Sequence, residues 1–183
     1  MAAYDLQRLA VMVVEDSNYM RSMLTMSLRA LGVGIIKEAE HGGDAIDILK
    51  LMRKDPMRAG IMSVDVIFSN WQMSPIDGLM LLRWVRRHKE SPSRFIPFVL
   101  VTAHAERRKV AEARDMGATE MLAKPYSVDM VATRLLQVID RPRFFVHTGD
   151  YFGPDRRRHQ VAFTDRERRK ITETSPEAEV IHV

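Results

Sequence analysis

Residues 10–21 read AVMVVEDSNYMR, and this stretch decides the fold. Five apolar residues with no polar interruption suit a strand buried on both faces, as in a parallel sheet. The run ends on two adjacent acids, Glu15 and Asp16. Ser17 then caps a helix in which Met20, Met23, Leu24, Leu28 and Leu31 recur at three- and four-residue spacing, and Gly32 closes it. A strand handing over directly to a helix is one βα unit.

The same unit recurs outward along the chain. Further strands are predicted at 34–37, 64–69, 97–101 and 119–123, and helices at about 43–54, 77–88, 105–116 (closed by Gly117) and 127–139. The predicted fold class is therefore α/β: a doubly wound, flavodoxin-like parallel sheet of five βα units. Periodicity stops after Asp140, where Pro142 breaks the last helix and turn signals follow at Thr148-Gly149-Asp150 and Gly153-Pro154-Asp155. The predicted organisation is a domain over 1–140, an irregular arginine-rich extension over 141–172, and a disordered terminus over 173–183.

The chain has 183 residues, 46% hydrophobic and 28% charged, enough for a core without staples. Cysteine is absent, which excludes disulfides, thiolate metal sites and cysteine nucleophiles. No apolar run reaches the roughly 18 residues of a membrane span, and residues 1–10 carry Asp5 and Arg8. A cytoplasmic protein with no membrane insertion is expected. The thirteen methionines fall mostly on predicted core faces, and the six histidines are scattered without metal-ligand spacing. The net charge of +4 has a location: residues 1–140 hold 19 basic and 17 acidic side chains, whereas 141–170 hold nine basic and four acidic.

In an open parallel sheet, ligands bind beyond the carboxyl ends of the strands. The polar residues placed there are Glu15 and Asp16 after strand one, Asn70 at strand three, Thr102 at strand four and Lys124 at strand five. Acids, a hydroxyl and an ammonium thus converge. In this order, the segments VVEDSNYMR (13–21), FSNWQMSPIDGL (68–79), VLVTAHA (99–105) and LAKPYS (122–127) resemble the receiver domain of CheY-like response regulators. The resemblance implies an acidic pair that holds Mg²⁺, an aspartate nucleophile at the end of strand three, and Thr and Lys contacts to phosphoryl oxygens. Here Asn70 stands at the nucleophile position. An amide is neutral and a poor nucleophile, so Asn70 cannot form an acyl phosphate, and Mg²⁺ on Glu15 and Asp16 is expected to be weak at best. Asp65 cannot substitute, because it lies at the strand's start. Ser74 and Pro75 shift the family's proline by one position, and Met121 stands where a switch aromatic often occurs. The pocket reads as a degenerate phosphoacceptor site whose Glu15, Asp16 and Lys124 persist as a pairing network.

Residues 141–158 read RPRFFVHTGDYFGPDRRR, five arginines interleaved with Phe144, Phe145, Tyr151 and Phe152. Arginine's planar fork grips phosphate, pairs with the O6 and N7 edge of guanine and stacks on bases, while aspartates accept from guanine N1 and N2. From chemistry alone the ligand is a guanine-containing anion, either nucleic acid or a cyclic dinucleotide, and a solvated basic tail remains open beside both. The segment 144–158 is similar to the arginine-rich extension of the Cle family, CheY-like cyclic-di-GMP effectors of alphaproteobacteria that act on the flagellar motor. That resemblance implies cyclic-di-GMP binding by Arg143, Asp150, Tyr151, Phe152, Asp155, Arg156, Arg157 and Arg158. It makes nucleic acid an unlikely partner.

The expectation is a non-enzymatic, cyclic-di-GMP-responsive adaptor that regulates motility or surface attachment. Its implied protein partner is a flagellar motor switch protein, met through the fourth helix, fifth strand and fifth helix, with recruitment to the motor at the cell pole. The alternatives are a single-domain response regulator in a phosphorelay and a nucleic-acid-binding receiver.

Overall fold

The computed structural model describes residues 5–104, 106–148, 151–155 and 179–181. Five parallel strands form the main sheet in the order β2-β1-β3-β4-β5. These are β1 (Ala10–Val14), β2 (Ile35–Ala39), β3 (Val66–Asn70), β4 (Phe98–Thr102) and β5 (Glu120–Ala123). All five predicted strands are present: β1 has the predicted bounds, β2, β3 and β4 are moved by one or two residues toward the carboxyl end, and β5 starts one residue later.

Alternation along each strand explains the two layers. Ala10, Met12 and Val14 of β1 pack with Ile67, Phe98, Leu100, Leu49, Leu81 and Leu82 on one face. Val11 and Val13 pack with Phe68, Val99, Val101, Leu28 and Leu135 on the other. A sheet apolar on both faces needs helices on both. The helices are α1 (Asn18–Ala30), α2 (Gly42–Lys54), the short α3 (Pro56–Ala59), α4 (Gly78–Arg87), α5 (Arg107–Asp115) and α6 (Val128–Asp140). Helix α3 was not expected from the sequence, so the fourth and fifth predicted helices are α5 and α6. Side-chain oxygens cap α1, α4 and α6: Ser17 accepts from the Met20 amide at 3.4 Å, Asp77 from Met80 at 2.7 Å and Ser127 from Met130 at 3.3 Å.

The tail is less irregular than expected. Strands β6 (Phe145–His147) and β7 (Phe152–Pro154) form an antiparallel hairpin, closed by the Thr148 amide donating to Tyr151 O at 2.8 Å. Within the terminus expected over 173–183, β8 (Glu179–Ile181) pairs antiparallel with the other edge of β6, and the rest of that segment lies outside the described residues.

Aromatic packing is the physical reason. Phe145 and Phe152, only 4% and 5% exposed, meet Phe95 at ring distances of 5.1 and 5.6 Å. Arg94 lies over Phe152 at 3.3 Å and Arg86 over Phe145 at 5.2 Å. The hairpin therefore docks where β4 and β5 begin, at the end of the sheet opposite the residues that follow the strands.

Candidate functional site

Register brings the predicted pocket together. Val14 pairs with Ser69, Asn70 with Val101, and Thr102 with Ala123, so the residues ending β1, β3, β4 and β5 gather at one edge. Asn70 sits at the centre. Its Nδ2 donates toward Glu15 Oε1 at 3.1 Å, Asp16 Oδ1 at 3.0 Å and the Gln72 carbonyl at 2.7 Å. Its Oδ1 accepts from Lys124 Nζ at 3.2 Å, and Lys124 also donates to Glu15 Oε2 at 2.7 Å. The amide's orientation is fixed from both sides. Turning it over would set oxygen against three acceptors and nitrogen against an ammonium.

Glu15 is 3% exposed, and burial pushes its carboxyl above the usual carboxylate value, against the opposing pull of Lys124. For Asp16, burial opposes ionisation, yet hydrogen bonds from Glu15 and Asn70 hold the group below its ordinary value. The two neighbouring acids are therefore shifted in opposite directions. Arg21 braces this corner: its Nη1 donates to Glu15 O at 2.6 Å, and its guanidinium pairs with Glu38 at 3.4 Å and Glu40 at 3.3 Å.

Of the five predicted pocket residues, four form one hydrogen-bonded cluster. Thr102 does not bond into it; its Oγ1 instead accepts from the His104 amide at 3.0 Å. Asp65 lies at the far end of β3, where its Oδ2 accepts from the Ala10 amide at 2.8 Å. The sequence reading did not anticipate Gln72 O, Arg21 or Tyr126. Tyr126 has a buried hydroxyl with no hydrogen-bond partner among the described residues, and its ionisation is pushed up to about 12 by burial and by Glu15.

The arrangement does not fit Mg²⁺. A hard divalent cation needs oxygens pointing into a shared space. Here the oxygens of Glu15, Asp16 and Gln72 converge on an N–H donor, and the one side-chain oxygen of Asn70 faces Lys124. Among the described residues no group of three or more His, Asp or Glu side chains is placed to hold a metal. The amide does electrostatically what a cation would do, at a fraction of the charge.

The predicted nucleotide-binding residues fall into two sets. Asp150, Arg156, Arg157 and Arg158 lie outside the described residues. The others belong to the docked hairpin. Arg143 donates to the backbone carbonyls of Thr119, at 3.2 Å, and Asp155, pinning the hairpin to the start of β5. Tyr151 is half-buried and its hydroxyl donates to Pro154 O at 2.7 Å. Phe152, expected to offer a face to a base, is instead buried between Phe95, Phe145 and the Arg94 guanidinium.

A buried arginine holds this second region together, and the sequence reading missed it. Arg86 is 1% exposed; Nε donates to Gly117 O at 3.0 Å, while Nη1 donates to Arg94 O at 2.8 Å and Ile96 O at 2.7 Å. Burial pushes its guanidinium down to about 9. The signal was present, because Arg86 continues the Leu82-Val85 face of α4, where apolar spacing predicts core.

Comparison with known proteins agrees with the five-stranded fold. The chemotaxis protein CheY homolog of Campylobacter jejuni is 29% identical over 129 residues, covering 70% of this chain and 91% of that protein. Chemotaxis response regulator CheY4 of Vibrio cholerae superposes with a TM-score of 0.58 at 25% identity, over 71% of this chain and 98% of that one. The receiver domain of the histidine kinase CKI1 from Arabidopsis thaliana, complexed with Mg²⁺ and BeF₃⁻, superposes with a TM-score of 0.62 at 23% identity, over 75% and 95% of the two chains. No helix among the described residues is long and apolar enough to cross a membrane. Residues 11–136 match the response regulator receiver domain, and the chain belongs to that family.

Proposed function

We propose that this receiver is a non-enzymatic adaptor whose input is cyclic-di-GMP on its arginine-rich tail instead of phosphate on an aspartate. Its output is protein binding in flagellar motor control. The observation that carries the reading is the Asn70 amide, whose nitrogen faces both acids and whose oxygen faces Lys124. A receiver with its nucleophile replaced and its acidic pair occupied needs another input. The tail supplies the chemistry for one: Arg156, Arg157 and Arg158 follow Asp155, giving guanidinium forks beside a carboxylate that accepts from guanine.

The docked hairpin supports the coupling. Gly117, in the turn between α5 and β5, touches Gly153 of β7, so the tail lies against the start of the α5, β5 and α6 face through which a motor switch protein would bind. A nucleotide that shifts the hairpin changes that face through differential contacts in the free and bound states. The test is a calorimetric titration of the full chain with cyclic-di-GMP, repeated on a variant with Arg156, Arg157 and Arg158 all changed to lysine. Charge is kept and the forks are lost, so each guanine-reading contact removed weakens binding by about 1–3 kcal/mol. Equal binding by the two proteins overturns guanine recognition. A response governed by salt and shared with single-stranded DNA favours a nucleic-acid binder instead.

A further inference from the structure

The cage around Asn70 fits the planar amide less well than it fits the species formed when water adds to it. On the nitrogen side three acceptors share two N–H hydrogens: Glu15 Oε1 at 3.1 Å, Asp16 Oδ1 at 3.0 Å and Gln72 O at 2.7 Å. One acceptor is in excess while the amide stays planar. Once Cγ becomes tetrahedral, the nitrogen turns from donor to base, and a carboxyl beside it can hand over a proton. On the oxygen side Oδ1 accepts from Lys124 Nζ at 3.2 Å, an ammonium in place before negative charge develops there. Asp16 is exposed and its carboxyl is held below the ordinary value, so an ionised base stands beside the amide, open to water.

The usual route of asparagine breakdown is closed. In a flexible chain the next backbone nitrogen attacks Cγ and forms a cyclic imide, which opens to aspartate and isoaspartate. Here that nitrogen belongs to Trp71, and its N–H is donated to Val101 O at 2.8 Å. The chain on either side is also pinned. Ser69 Oγ donates to Asn70 O at 3.1 Å, the Gly78 amide donates to Trp71 O at 2.9 Å, and Gly78 packs so closely on Asn70 O that no Cβ fits. Water, not the backbone, is the nucleophile this geometry leaves.

We propose that this pocket hydrolyses its own Asn70 side chain to a carboxylate. Water bonds to Cγ through its oxygen and passes a proton to Asp16, while Lys124 holds the charge on Oδ1. The Cγ–Nδ2 bond then breaks as Asp16 returns the proton to nitrogen, and ammonia leaves. One water is consumed for each ammonia released, with no change of oxidation state. An oxyanion donor such as Lys124 contributes about 10²–10³-fold, and positioned proton transfer about 10²–10⁴-fold. The product has a carboxylate at the nucleophile position. The step is thus a one-way timer, from a pocket blind to phosphoryl donors to one that accepts them, and binding of cyclic-di-GMP by the tail plays no part in it.

The test follows the freshly purified full chain by mass spectrometry at neutral pH, with peptide mapping to separate Asn70 from Asn18, the other asparagine of the sequence. The same chain unfolded in guanidinium chloride is the reference, and Asn70→Asp supplies the product standard. Conversion at Asn70 is expected to be faster in the folded chain than in the unfolded one, and to give aspartate without isoaspartate. Lys124→Met and Asp16→Ala, each checked for folding by circular dichroism, should each slow it at least about 100-fold. A folded chain that keeps the Asn70 amide while the unfolded chain converts overturns the proposal. So does isoaspartate at position 70, or an unchanged rate in either folded variant. Failure of the tail to bind cyclic-di-GMP would overturn the adaptor reading and leave this result standing.

Discussion

Asn70 Nδ2 lies 3.1 Å from Glu15 Oε1, the donor end of an amide against an acid whose proton affinity burial has raised. The relationship makes the pocket self-sufficient. Two acids and a backbone carbonyl that would repel one another without a cation share an internal donor, and Lys124 balances the remaining charge.

Changing Asn70 to Asp should reverse this. A third carboxylate would face Glu15, Asp16 and Gln72 O without a proton to share, so the variant is less stable than the parent without metal and is stabilised by Mg²⁺. Melting temperatures with and without Mg²⁺ check this. The expected result is a rise for Asn70→Asp and none for the parent; a rise for both contradicts the pocket's reading.

The acidic pair has a pH signature. Folded Glu15 binds its proton more tightly than the unfolded chain does, so its contribution to stability is full below the ordinary value of 4.5 and is lost as pH rises through its elevated value. Asp16 runs the other way, contributing above its ordinary value of 3.8 and losing that contribution as pH falls. Glu15→Gln removes the first of these. Urea unfolding from about pH 4 to about pH 7 should show the variant gaining on the parent as pH rises.

Arg86→Met leaves the carbonyls of Gly117, Arg94 and Ile96 without their donor. Destabilisation of about 3 kcal/mol or more is expected by denaturant titration, because each buried carbonyl left unpaired costs about 1–3 kcal/mol. A loss within experimental error would mean the guanidinium is dispensable.

Gly153 and Gly117 approach so closely that a Cβ on Gly153 would lie 2.8 Å from Gly117 Cα and 2.6 Å from the Tyr151 hydroxyl. Gly153→Ala therefore loosens the hairpin by about 1–3 kcal/mol while the five-stranded sheet stays folded. Limited proteolysis should cut the tail about tenfold faster or more, with the receiver core resistant.

Which parts of this were legible in the sequence follows from the range of the interactions. Each βα unit announces itself locally, through an apolar run, a cap such as Ser17 and a period of 3.6, so the five strands could be placed from short windows. Asn70 was readable for the same reason, since its position at a strand end and its missing charge are both local facts. The hairpin was not. Its strands are three residues each, Gly153 and Pro154 break the alternation, and the partner that buries it, Phe95, lies far upstream in a loop without periodicity. Arginines and aromatics in the tail were therefore read as available to a ligand, whereas Phe145, Phe152 and Arg143 are engaged with the receiver itself.

Whether input has moved from the acceptor pocket to the tail is read out by one spectroscopic comparison. The ¹H–¹⁵N spectrum of the full chain is recorded alone, with acetyl phosphate and Mg²⁺, and with cyclic-di-GMP. No change is expected around Asn70 and Lys124 with the phosphoryl donor. With the nucleotide, saturable changes are expected in the tail, at Phe95, and along α5, β5 and α6. Shifts at the acceptor pocket with acetyl phosphate, together with an unchanged spectrum in cyclic-di-GMP, would contradict that move of input.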